Sequence, residues 1–236
     1  KSYISGGSII TTGDVRVYSW QNKGQTVGAI ASLGNNTGGV NVSLISGKAN
    51  IANAIANAVN EAYVSGTDFG SLAQRNGSLD IESIANSYAK SGFINDQVSV
   101  SLASLGILTM TAEAQGTFKA YLNSTGAEIY LDDLNIINTY KAVSEAKSTQ
   151  PGKGVSVGLV TGDVNFAKAT TSANASAYIT GSGVVDAAGI TVKVDGSGSK
   201  ATADIDAARV NVNLAKVAAN VALASLKLTQ NAYING

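Results

Sequence analysis

The chain has 236 residues, of which 44% are hydrophobic and 14% charged, against roughly 25% charged in an average soluble domain. Its 16 basic side chains balance 16 acidic ones, so no net field draws it to nucleic acid or to an anionic membrane. Cys and His are both absent, which removes disulfides, thiolate nucleophiles, zinc-finger ligation and the commonest general base.

No run reaches the roughly 18 to 20 apolar residues that span a bilayer as a helix. The opening residues, Lys1 to Gly6, do not read as a signal peptide. Gly contributes 26 residues and Pro one, the balance expected of a β-protein with many turns and central ladders free of Pro.

Self-similarity organises the rest. The opening Ser2-Tyr3-Ile4 returns as Ala62-Tyr63-Val64, Ala120-Tyr121-Leu122, Ala177-Tyr178-Ile179 and Ala232-Tyr233-Ile234, with Tyr spacings of 60, 58, 57 and 55. Val15-Arg16-Val17 returns as Leu79-Asp80-Ile81, Leu134-Asn135-Ile136 and Ile190-Thr191-Val192. A Val-x-Val-x-Leu motif begins at Val40, Val98, Val155 and Val210, and the following Tyr lies 23 residues on in every copy. Three landmarks in fixed order divide the chain into the end of a preceding unit (1–12) and units at 13–76, 77–132, 133–188 and 189–236. Because the chain opens and closes at the same phase, the array is expected to continue on both sides.

Residues 49–63 (ANIANAIANAVNEAY) would pass for an amphipathic helix if read alone. The aligned copies decide otherwise. Ala52, Ala54, Ala56 and Ala58 align with Met110, Ala112, Ala114 and Gly116, and with Ala167, Ala169, Thr171 and Ala173, while polar residues fill most positions between. A period of two across divergent copies is the strand signature. The small inward side chains predict sheets closer than the usual separation of about 10 Å.

In the third unit the strands are expected at 134–143, 155–160, 164–177 and near 184–186. A tight reversal is expected at Thr161-Gly162, and a bulge or bend where the apolar phase slips between Phe166 and Ala167. A unit of about 57 residues has an extended contour near 190 Å at ~3.3 Å per residue. One wide rung, two or three short rungs, or stacked antiparallel hairpins would each fit that length. The expected class is all-β: an elongated, β-helix-like solenoid of four tandem units, with stacked antiparallel hairpins as the alternative.

The Val-x-Val runs, the alternating Ala/Thr/Asn strands, Ala-Tyr-Ile-x-Gly and Gly13-Asp14-Val15 together resemble very large filamentous adhesins of Gram-negative bacteria, most closely repeats of the fusobacterial leukotoxin type. The resemblance covers all four units. It implies export across the outer membrane by a type V route, and folding into a long fibre on the cell surface. It supplies no catalytic residues.

The five tyrosines Tyr3, Tyr63, Tyr121, Tyr178 and Tyr233 are expected to form a structural stack between units, as core or edge; the competing role is an exposed ladder for sugar rings. Tyr18 and Trp20, in alternation, are expected to form a local packing patch; the competing role is a carbohydrate or protein contact. Asp132-Asp133 and the pair Asp204 and Asp206 are weak calcium candidates, without EF-hand or β-roll spacing. The Gly-Ser runs at 181–183 and 195–200 read as turns. The acids fall at different phases of different units, so no convergent pocket, catalysis or cofactor is expected. The expected function is a stalk, with neighbouring units as partners and no membrane insertion in this segment. Adhesion to host glycan or protein, and self-assembly into a filament or surface layer, are the alternatives.

Overall fold

Alternation of small inward and polar outward residues yields long strands. The computed structural model describes residues 1–25, 28–35, 40–95, 98–149, 155–205 and 210–236, which are all-β with no helix. One sheet holds β1 (Ser2–Ser5), β5 (Val40–Ser65), β8 (Val98–Asn123), β10 (Val155–Thr180) and β13 (Val210–Asn235), in that order. The second holds β2 (Ser8–Ile9), β3 (Val15–Gln21), β4 (Ala29–Asn35), β6 (Asp68–Phe69), β7 (Asn76–Asn95), β9 (Glu128–Thr149), β11 (Val184–Asp195) and β12 (Lys200–Ile205).

Every pairing among the described strands is parallel, which replaces the antiparallel-hairpin alternative. Parallel neighbours need a crossover, and here the crossover is the other sheet. The chain passes along β7, returns along β8, passes along β9 and returns along β10. One full circuit therefore carries Tyr63 to its partner Tyr121, and the next carries Tyr121 to Tyr178. The other landmarks meet in the same frame: Val40, Val98, Val155 and Val210 are successive partners, as are Val15, Leu79, Leu134 and Ile190. The circuit is one wide rung. A 26-residue strand such as β8 has a contour of about 86 Å at ~3.3 Å per residue. Five strands at ~4.8 Å spacing stack to only about 20 Å, so these residues form a body broader along its strands than along its stacking direction.

Two local expectations fail. Strand β10 runs unbroken through Thr161 and Gly162, which pair with Ser104 and Leu105 on one side and Lys216 and Val217 on the other. Neither Gly47 nor Gly162 has positive φ, so these glycines mark no reversal. The apolar slip near Phe166 is likewise no bend. Thr161 and Ala167 both point inward, and Val164, 42% exposed, is an apolar residue on the outer face. The ladder instead lapses at Leu159 and its counterparts Leu44, Leu102 and Leu214, between pairs that remain in register. The glycines that do close a rung follow the tyrosine motif: Gly66 at φ 55° and Gly181 at φ 111°, a region L side chains rarely occupy.

The core changes thickness along the rung. Near the glycine turns it holds Val64, Phe69, Leu79, Ile81, Leu122, Ile129, Leu131, Leu134 and Ile136, all essentially inaccessible. Farther along, Ala54, Ala112 and Ala169 of the first sheet face the second sheet's Ala89 and Ala146. There the layers lie close enough for serine hydroxyls to donate directly to the opposite main chain: Ser91 Oγ to Ala52 O at 2.6 Å and Ser87 Oγ to Gln115 O at 2.9 Å. Asn60 joins the layers where they begin to separate. Its amide nitrogen donates to Ser19 O at 2.7 Å and Ser83 Oγ at 3.0 Å, and its oxygen accepts from Ser19 Oγ at 2.7 Å.

Candidate functional site

Positions alternating with the buried alanines face outward, and the tyrosine column is one of them. It lies on the outer face of the first sheet, outside the core. In-register pairing brings successive rings to centroid separations of 5.1, 4.8, 4.9 and 5.1 Å, with interplanar angles of 2° to 7°. Both faces of Tyr63, Tyr121 and Tyr178 are thus covered by neighbouring rings. A sugar cannot stack on them; among these five, only the outer faces of Tyr3 and Tyr233 lack a ring from the column.

Burial in this stack pushes the Tyr121 phenol well above its ordinary value of 10.0, and nearby Glu61 adds to the effect. Burial also raises Tyr178, with Tyr233 contributing. A phenol whose folded value is raised contributes stability in full below the unfolded value, and that stability is lost as pH rises towards the folded value. The melting temperature is therefore expected to fall once pH exceeds about 10. Phenolate absorbance read in parallel should show part of the tyrosine population ionising late, together with unfolding.

Tyr18 and Trp20 stand on the outer face of the second sheet, stacked at 5.9 Å, with Lys23 Nζ lying 3.6 Å from the Trp20 ring centroid. Trp20 is 56% exposed. The lysine caps part of the indole and extends the patch as a cation–π pair.

Two of the acidic candidates, Asp132 and Asp204, lie beside cations of the protein itself. Asp132 lies 4.0 Å from Arg75, whose guanidinium also reaches Asp186 at 3.0 Å and donates to Leu131 O at 2.6 Å. Asp133 sits beside Gly189 of the neighbouring strand, and Asp204 lies 3.7 Å from Lys147. Asp206 lies outside the described residues. Among the described residues no three acids converge as a metal site would require.

A feature not anticipated from the sequence is a groove of about 410 Å³ on the outer face of the second sheet. Strands β7 and β9 run side by side through it without a break. Their outer neighbours do not. Strand β3 pairs with β7 as far as Ala85, and β4 resumes at Ala89. On the other side β11 pairs with β9 as far as Thr139, and β12 resumes at Val143. Ala85 is paired with Tyr140 and Ala89 with Ser144, so the two detours flank the same stretch of a two-strand floor. Asn86, Tyr88, Lys141, Val143 and Glu145 line the groove, with Gly24 and Gln25 at one end and Lys200 at the other. Gly24 and the Gly196-Ser197-Gly198 run are the sequence trace of the detours. Nothing in the sequence places them opposite each other.

The first sheet also carries an exposed apolar band. Leu44, Leu102, Leu159 and Leu214, where the ladder lapses, are 73%, 48%, 46% and 83% exposed. The outward columns that follow hold Leu105, Ile107, Val160, Val164, Val217 and Val221, again exposed and without a charge among them.

No family model matches the chain, and no curated protein or solved structure matches it either.

Proposed function

We propose that the chain is a structural, non-catalytic segment of a stalk or fibre on a large bacterial cell-surface adhesin, acting outside the cell. In this reading it comprises four tandem solenoid units, at 13–76, 77–132, 133–188 and 189–236. The carrying observation is register: three separate landmarks of each unit meet their counterparts in one unshifted frame across the stack. A unit that pairs its strands with those of the next unit cannot complete its own sheets alone, so stability is shared between neighbours and accumulates along an array. The product of such a sequence is shape. Antibodies against the chain should label intact cells, and protease applied to those cells should remove the signal. Labelling that appears only after lysis would overturn the reading.

Side-by-side self-assembly is a second reading, favoured by the apolar band. Its columns from Leu44 to Ile51 and their partners span about 26 Å along the strands and about 19 Å across four rungs. That is about 500 Å² on each copy, so two copies meeting through it would bury about 1,000 Å², the threshold of a specific interface. Sedimentation velocity should then show a dimer that Leu102→Asp with Leu159→Asp abolishes; a monomer at every concentration would overturn it.

A further inference from the structure

We propose that the groove between the two detours binds a pyranose bearing a carboxylate, a sugar of the uronic acid class.

The floor is fixed before any ligand arrives. Tyr88 Oη donates to Glu145 Oε2 at 3.2 Å, and Lys200 Nζ reaches Glu145 Oε1 at 3.3 Å. Burial, reinforced by the Glu145 carboxylate, raises the Tyr88 phenol, which keeps its proton on the ring oxygen and the hydrogen bond intact. At the far end Asn86 Nδ2 donates to Asn22 O at 2.8 Å, and Asn22 Nδ2 returns the bond to Asn86 O at 3.2 Å, tying the first detour to the floor. Gly28 lets the returning chain pass against the Tyr88 main chain, where a Cβ would meet the carbonyl.

The groups left to a ligand are of two kinds. Val143 lines the groove but is only 4% exposed, so the partly exposed ring of Tyr88 is the apolar surface that a ligand would meet. That suits the C–H face of a pyranose. Lys141, which lines the groove, has no acidic partner among the described residues, and its stem runs past Gly198. With Glu145 already held by Lys200 and Tyr88, Lys141 leaves the groove one positive charge in excess. A carboxylate would meet that charge, while ring hydroxyls would meet Glu145 and the amides of Asn86 and Gln25. A volume of about 410 Å³ is in the range of small-molecule sites. The proposal is independent of whether the chain serves as a stalk.

The test is titration of the full chain with glucuronate and galacturonate, followed by calorimetry or NMR. Glucose and galactose serve as neutral controls, and inorganic phosphate as an anion without a sugar ring. Saturable uronate binding is expected, weakened about tenfold by Lys141→Gln, by Tyr88→Ala and by raised salt. Lys168→Gln, on the other sheet, should leave it unchanged. Circular dichroism and melting establish that each variant is folded; Lys141 is exposed, so Lys141→Gln keeps the test valid if Tyr88→Ala unfolds the chain. Absent uronate binding, equal binding of neutral hexoses or phosphate, or undiminished binding by folded Lys141→Gln would each overturn the proposal.

Discussion

Replacing Asn60 by Ala is expected to destabilise the protein by about 3 to 4 kcal/mol, read as a lower urea midpoint. Asn60 is 3% exposed, and its amide is the bridge between the two sheets. Its loss strands the Ser19 carbonyl and the Ser83 hydroxyl in a dry interior and opens a small cavity. A buried polar group without a partner costs about 1 to 3 kcal/mol, so two such groups exceed what the cavity alone would cost. Asn57, three positions earlier but facing solvent, provides the comparison. Asn57→Ala should change stability by no more than about 0.5 kcal/mol. Equal effects at the two positions would mean that the layers are not joined as described.

The second large effect is expected from adding volume. Ala112 is inaccessible and stands in a column with Ala54, Ala169 and Ala224. Ala112→Leu should cost about 3 kcal/mol, at the upper end for overpacking. The reason lies in the sheet separation. Ser87 and Ser91 hydrogen bond directly to the opposing main chain, so the layers cannot part to admit three more carbons without breaking those bonds. Thr111→Leu, one residue earlier and pointing outward, tests side-chain size without overpacking and should stay within about 0.5 kcal/mol. If both leucines were tolerated alike, the thin alanine layer would be refuted.

Much of the strand pattern was legible because a period of two repeats in every copy, and no helix satisfies it in all of them. The register was legible for the same reason: a constant interval of 23 residues between Val and Tyr leaves little freedom to slip. The circuit was not. A contour of 190 Å fits one wide rung or several narrow ones, and only the pairing of Tyr63 with Tyr121 after one pass through both sheets separates them. Gly162 misled because glycine in a strand and glycine at a turn look alike in sequence; its partners Leu105 and Val217 show an extended backbone. The apolar slip at Phe166 marks no bend because this sheet carries apolar columns on its outer face as well, so an apolar residue here need not point inward.

The tyrosines illustrate the same division. Their alignment followed from spacing, but the face they occupy depends on which alternate set is buried, and the alanines had to be placed first. The groove was least legible. Tyr88, Lys141, Glu145 and Lys200 come from three strands, and two detours at opposite ends of the chain frame them. Each detour reads as an ordinary Gly-containing turn. Their opposition exists only because β7 and β9 pass unbroken between them.

Parallel, unshifted stacking of successive circuits is most directly tested by cross-linking, since the natural chain has no cysteine to interfere. Ser176 of β10 and Lys119 of β8 are in-register partners on the outer face. Neighbouring strands place such Cα atoms about 4.8 Å apart, inside the range a disulfide accepts. Ser176→Cys combined with Lys119→Cys should form an intramolecular disulfide on mild oxidation. Ser176→Cys with Gln115→Cys, four residues out of register, should remain reduced. A folded protein in which the second pair closes as readily as the first, or the first fails to close, would contradict the stacked arrangement.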